Sequence, residues 1–301
     1  MRFLTCVLAV FLTLAGLHAQ GRFENYPLPS RPDTLRILAV GNSFSDDGTE
    51  YLPGLLEAAG IHNVTLARLY IGGCSLQRHC EEYEKGLKQY TYYKSTGNKW
   101  EIVSRSASLV DGLKDEPWDI ITMQEASGYS GTYSNYAEWA PKLFEIIRRE
   151  SANPRASIVW HETWAYASNS VHGMFKVYDK DQTKMYDAIV DCVRRITAEL
   201  GIDVVIPCGD AIQAARGTRL NNDDVVPATC KVYQLTRDGF HLSHQFGRYT
   251  AACVWFEALL KPTLGVSVKG NGYLIRDTDY SISSADARLC QGCAVKAVRS
   301  W

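Results

Sequence analysis

The chain has 301 residues, 46% of them hydrophobic and 22% charged, with a formal net charge of −1. That is a globular composition, long enough to bury one large core or two small ones. No basic block or stripe stands out, which argues against nucleic acid as a partner, and the charge balance favours no particular small substrate.

At the N-terminus, Arg2 is followed by an apolar run from Phe3 to Leu17 and then by Leu17-His18-Ala19-Gln20. A short positive region, an apolar stretch too short to span comfortably and a small residue at the cut read as a signal peptide over 1–19, cleaved after Ala19. The alternative is an uncleaved anchor. Cleavage leaves a single domain over 20–301, secreted or periplasmic, in which no later stretch is long and apolar enough to cross a membrane. It also removes Cys6 and leaves cysteines at 74, 80, 192, 208, 230, 253, 290 and 293. An even number in an exported chain permits disulfides, and Cys74–Cys80 and Cys290–Cys293 are the best local candidates. Cys192 and Cys253 instead fall on the apolar stripes of helices, where a free thiol packs as a small hydrophobe.

Residues 22–34, with three prolines, read as an extended lead-in. Leu35 to Val40 is a short apolar strand stopped by Gly41. A helix follows around Pro53–Ala59, then a strand from Val64 to Ile71 ended by Gly72-Gly73, then a charged helix over 76–88. The polar, aromatic stretch 89–105 is open between a hairpin and an ordered insertion. A short helix over 107–115 delivers a third strand at 118–123, and a helix over 136–149 leads to a fourth at 157–160. The helix at 182–200 carries Met185, Ile189, Val193, Ile196 and Leu200 on one face. A fifth strand covers 203–207, and the last strong helix, 244–260, places Phe246, Cys253, Phe256 and Leu260 inward. This is an α/β pattern: a central parallel sheet of about five strands covered on both faces, a three-layer sandwich with its core over about 35–262. Residues 266–301 form a C-terminal appendage with a short helix at 284–298. It either packs back on the sheet or mediates association, and the oligomeric state stays open.

In such a sheet, chemistry belongs beyond the carboxyl ends of the strands. The first strand ends in Gly41-Asn42-Ser43-Phe44-Ser45, and the glycine lets the chain bend and present Ser43 at that edge. Alone, this is ordinary turn chemistry with Ser43 as a helix cap. Near the end of the chain comes Asp238-Gly239-Phe240-His241. A serine hydroxyl needs an imidazole to take its proton, and the imidazole needs an acceptor to fix its tautomer. An Asp three residues before a His supplies both, although His244 competes for the base. Gly72-Gly73 after the second strand and Gln124 after the third are candidate donors to a developing oxyanion.

Together these four blocks resemble the SGNH (GDSL-like) hydrolases, which carry Gly-Asp-Ser at the first strand, a Gly after the second, an Asn after the third and Asp-x-x-His near the end of a flavodoxin-like sheet. The resemblance implies a serine esterase in which Ser43 is the nucleophile, His241 the base and Asp238 its orienting acceptor. It also implies an oxyanion hole built from the N–H groups of Ser43 and Gly73 and the side chain of Gln124. Asn42 and Gln124 depart from the family's Asp and Asn. The phrases Gly-Asn-Ser-Phe-Ser, Gly-Gly-Cys-Ser and Trp-Asp-Ile-Ile-Thr-Met-Gln-Glu-Ala-Ser-Gly-Tyr are similar to an SGNH-like subfamily of exported bacterial proteins often linked to polysaccharide breakdown.

For the substrate, rings beside polar groups at the strand ends suit sugar faces. Trp164, Tyr166 and Tyr129 are the candidate contacts, with His161, whereas Trp160 reads as core. An acylated carbohydrate is therefore the expected partner, and lipid or aryl esters are the alternative. A glycan-binding protein that has lost activity on the same scaffold is the reading from another class. His161-Glu162 lacks a third ligand for zinc, and Cys290-x-x-Cys293 lacks a second pair, so neither metal nor organic cofactor is expected.

Overall fold

The computed structural model describes residues 23–97, 99–222, 234–277 and 279–301. The expected signal peptide and Cys230 lie outside them. Runs of apolar residues form β1 (Leu35–Gly41), β2 (Val64–Tyr70), β5 (Ile120–Met123), β6 (Ser157–Glu162) and β7 (Val205–Pro207), paired in parallel in the order β2-β1-β5-β6-β7. The expected five parallel strands are present, within a sheet of seven. The stretch 89–105 supplies the other two as an antiparallel hairpin, β3 (Tyr90–Thr96) and β4 (Lys99–Ala107), added beside β2. Its burial explains why apolar patterning did not reveal it, because most of β4 faces solvent. Arg68 of β2, itself buried, fastens the hairpin by lying 4.0 Å from the Trp100 ring while pairing with Asp46 at 2.9 Å.

The helices form two packed sets. One holds α3 (Leu76–Glu84), α4 (Leu109–Asp115), α5 (Tyr133–Glu150) and α6 (Gln182–Leu200). The other holds α1 (Ser43–Thr49), α2 (Leu52–Ala58), α7 (Cys208–Arg216), α8 (Phe246–Leu264) and α9 (Ser284–Ser300). Helix α6 matches its expected bounds and buries Met185, Ile189, Val193, Ile196 and Leu200 along one face. Asp181 caps its start by accepting from Thr183 and Lys184, and Gly201 ends it in the left-handed region.

Helix α8 differs from the amphipathic expectation. Ala251, Ala252, Val254, Trp255, Ala258 and Leu259 are buried along with the inner stripe, because α1, α2, α7 and α9 as well as β7 all pack against this helix. The tail therefore completes the core. The seven described cysteines are all free and buried. Neither Cys74–Cys80 nor Cys290–Cys293 is bonded, and the second pair lies one turn apart on α9, each thiol packed as an apolar group. Among the described residues no helix is long and apolar enough to cross a membrane.

The register aligns the carboxyl ends of β1, β2, β5 and β6 on one edge, with Gly41 opposite Tyr70 and Met123 opposite Trp160. The chain leaves β1 for β2 on one side and later returns to β5 on the other, so a crevice opens at this edge.

Candidate active site

Gly41 ends β1 so closely packed that a Cβ there would lie 2.5 Å from Ser45 Oγ and 3.1 Å from Gln124 Cδ. The chain then turns into α1, with Asn42 as its cap. Asn42 Oδ1 accepts from the Phe44 N–H at 2.9 Å, and its amide nitrogen donates to the Cys74 carbonyl at 2.9 Å. Ser43 emerges at the crevice, half-buried.

The turn carrying Asp238 and His241 faces it. Asp238 Oδ1 accepts from the N–H groups of Phe240 and His241, and Oδ2 lies 2.6 Å from His241 Nδ1. A carboxylate only accepts, so Nδ1 carries the ring hydrogen and Nε2 is left to accept the Ser43 hydroxyl, 2.9 Å away. Burial pulls the Asp238 carboxyl upward, but the bonds from the His241 ring and the two N–H groups outweigh it and hold the pKa below the usual carboxylate value. His244, the competing base, instead lies against Tyr280, with ring centroids 4.7 Å apart.

One buried carboxylate locks the two halves together. Asp47, on α1 one turn beyond Ser43, accepts from Arg237 at 2.9 and 3.0 Å, from Arg248 Nε at 2.7 Å and from the Leu242 N–H at 2.8 Å. Its partners flank Asp238 and His241 on both sides. Sequence reasoning missed this group, although Asp46-Asp47 after Ser43 and an Arg directly before Asp238 were available as a signal.

Gly73 lines the same cleft, and among the described residues neither its N–H nor that of Ser43 has a partner within the chain. Gln124 does not join them. It is buried, with its Nε2 donating to Asn42 Oδ1 at 2.9 Å and its Oε1 2.6 Å from His161 Nδ1. The Asn42 cap fixes which way this amide points, so Gln124 braces Asn42 from beneath. Its longer side chain is spent on that bond and does not reach into the cleft.

Three expected substrate contacts are also internal. His161, Trp164 and Tyr166 are each 0% exposed. The segment that follows β6 passes beneath the turn carrying Asp238 and His241, with the Ala167 N–H donating to the Gly239 carbonyl at 2.8 Å. Trp164 stacks on Phe44 at 4.2 Å and donates to the Phe240 carbonyl at 2.7 Å, whereas the Tyr166 hydroxyl meets Ser127 Oγ at 3.0 Å. Burial drives the His161 pKa down to about 3, which keeps the ring neutral. On α5, Tyr136 stacks on buried Trp160 at 5.3 Å. Tyr129 alone among the proposed contacts is exposed, at 43%, on a 3-10 turn (Ser127–Tyr129) that forms one wall of the cleft.

The cleft encloses about 280 Å³, and its other wall is His172, Met174 and Phe240. Among the described residues no group of three or more His, Cys, Asp or Glu side chains is placed to hold a metal ion.

Residues 36–297 match the domain of unknown function DUF4886. The chain belongs to that family. It is 38% identical to a DUF4886 family protein from Bacteroides uniformis, whose crystal structure superposes with a TM-score of 0.78 over 89% of this chain and 95% of that one. It is similar at 20% identity and a TM-score of 0.49 to a protein assigned to the SGNH hydrolases from Slackia heliotrinireducens, over 75% of this DUF4886 chain and 98% of the other. It is similar at 13% identity and a TM-score of 0.46 to Axe2, an acetyl-xylooligosaccharide esterase from Geobacillus, over 79% and 98%. Among curated proteins none matches.

Proposed function

We propose that this chain is an exported serine esterase that removes short acyl groups, acetyl above all, from carbohydrate. The observation that carries the reading is a single imidazole, His241, held between a hydroxyl at 2.9 Å and a carboxylate at 2.6 Å at the sheet's carboxyl edge. Ser43 Oγ attacks the ester carbonyl as its proton passes to His241 Nε2, and Asp238 steadies the imidazolium that forms. The unpaired N–H groups of Ser43 and Gly73 face the oxygen that gains charge. Collapse breaks the bond to the alcohol, which leaves with the proton from Nε2. Water then repeats the sequence on the acyl-enzyme and releases the acid. A cleft of about 280 Å³ supports a short acyl group over a lipid chain. Export rests on the signal-like residues 1–19.

The test is hydrolysis of p-nitrophenyl acetate by the mature protein beside Ser43→Ala. The variant should lose about a thousand-fold or more in kcat. Equal rates for both proteins, or none from either, would overturn the reading.

A further inference from the structure

His172 stands in the cleft wall, and neither the sequence motifs nor the triad use it. Its side chain caps a 3-10 helix, Gly173–Tyr178, with Nδ1 accepting the Met174 N–H at 3.2 Å. That bond occupies the lone pair of Nδ1, so the neutral ring carries its hydrogen on Nε2, at the opposite edge. Among the described residues Nε2 has no partner. The ring cannot turn easily, because Phe240 and Tyr166 each pack on it with centroids 4.8 Å away. Burial first, and then the charge His241 can carry, push the His172 pKa down, while Asp238 opposes them weakly. His172 is thus a fixed, neutral donor rather than a second base.

Its position says which part of an ester it meets. The departing alcohol must receive its proton from His241 Nε2, so the alcohol lies on the His241 side of the cleft. Phe240 packs on His241 at 4.1 Å and on His172 at 4.8 Å, which puts both imidazoles on that side. The acyl oxygen, facing Ser43 and Gly73, lies elsewhere. Resting on the esterase reading above, we propose that His172 donates its Nε2 hydrogen to a hydroxyl or ring oxygen of the alcohol half, and so selects hydroxyl-bearing alcohols such as sugars over aryl or alkyl ones.

The experiment compares two esters of one acid, a mono-O-acetylated methyl xyloside and p-nitrophenyl acetate, in the wild type, His172→Phe and His172→Gln. Phe keeps a ring against Phe240 without the donor, and Gln keeps an N–H without the ring. Circular dichroism and a thermal melt establish that each variant is folded. For His172→Phe the loss in kcat/KM should be at least ten-fold greater on the xyloside than on the aryl ester and should fall mainly on KM, with Gln recovering part of it. Equal losses on both esters would overturn the proposal, as would no loss on either. A wild type that cleaves the aryl ester but not the xyloside would overturn it as well. Failure of the esterase reading is a different result: no hydrolysis of either ester that depends on Ser43.

Discussion

Gly239 lies between Asp238 and His241 at φ +88°, a conformation that favours glycine. Its environment is as strict as its torsion, since a Cβ there would stand 2.9 Å from Ser170 Cα, which is backbone and cannot swing aside. Gly239→Ala should therefore cost on the order of 1–3 kcal/mol of stability. It should also move the His241 ring off Ser43, lowering kcat at least ten-fold with little change in KM; a thermal melt and ester kinetics read the two effects. At this scale the sequence is uneven evidence. Ser43, Asp238 and His241 can be picked out because each sits in a short segment whose local geometry, strand end or tight turn, is set by its immediate neighbours. Gln124, His161, Trp164 and Tyr166 could not be placed, because residue type tells which atoms are present and not which way they face. The hydrogen bonds that hold them inward come from segments 37 to 82 positions away.

Between elements, Asp47 is a buried tie shared by three segments. It joins α1 to the turn at 237–242 and to α8, with a side chain only 1% exposed. Arg237 and Arg248 stay near it if its charge is removed, and uncompensated buried charge is what makes a broken ion pair expensive. Asp47→Asn should lose about 3 kcal/mol in urea unfolding and lower kcat through poorer alignment of His241, whereas KM holds. A variant as stable and active as the wild type would show that the turn is held by other contacts. The parallel strands were legible because a sheet covered on both faces must be apolar throughout. The hairpin β3–β4 was one of two readings of 89–105 and apolar patterning could not choose it, because its outer strand is solvated and polar contacts hold it, Arg68 on Tyr93 and Trp100 and Lys94 on Asp115 and Glu116. Helix α7 escaped notice; it starts straight after Pro207 without a capping side chain, so nothing local announces it.

For the whole molecule, four buried groups set opposing trends of stability with pH. His79 and His161 are held neutral, each with its pKa lowered to about 3 by burial. Unfolded they bind protons near pH 6.5, so their effect makes stability fall as pH drops below that value. Glu125 and Glu162 are shifted the other way. Burial raises Glu125 to about 7 against the bonds it accepts from Leu76, Ala126 and Asn135, and raises Glu162 well above its ordinary value. Folded, they keep protons that the unfolded chain releases above about pH 4.5, so their effect makes stability fall as pH rises. Between about pH 4.5 and 6.5 the two pairs therefore pull stability in opposite directions. Glu125→Gln removes one member while keeping the carbonyl that accepts from Leu76 and Ala126. Relative to the wild type, it should gain stability steadily as pH rises from about 4.5 to about 7 and stay level beyond. The gain is on the order of 3 kcal/mol, since each unit of pKa shift corresponds to about 1.4 kcal/mol. Urea unfolding at half-unit steps from pH 4 to 8 measures it, and a difference constant across that range would show that Glu125 ionises alike in the folded and unfolded chain.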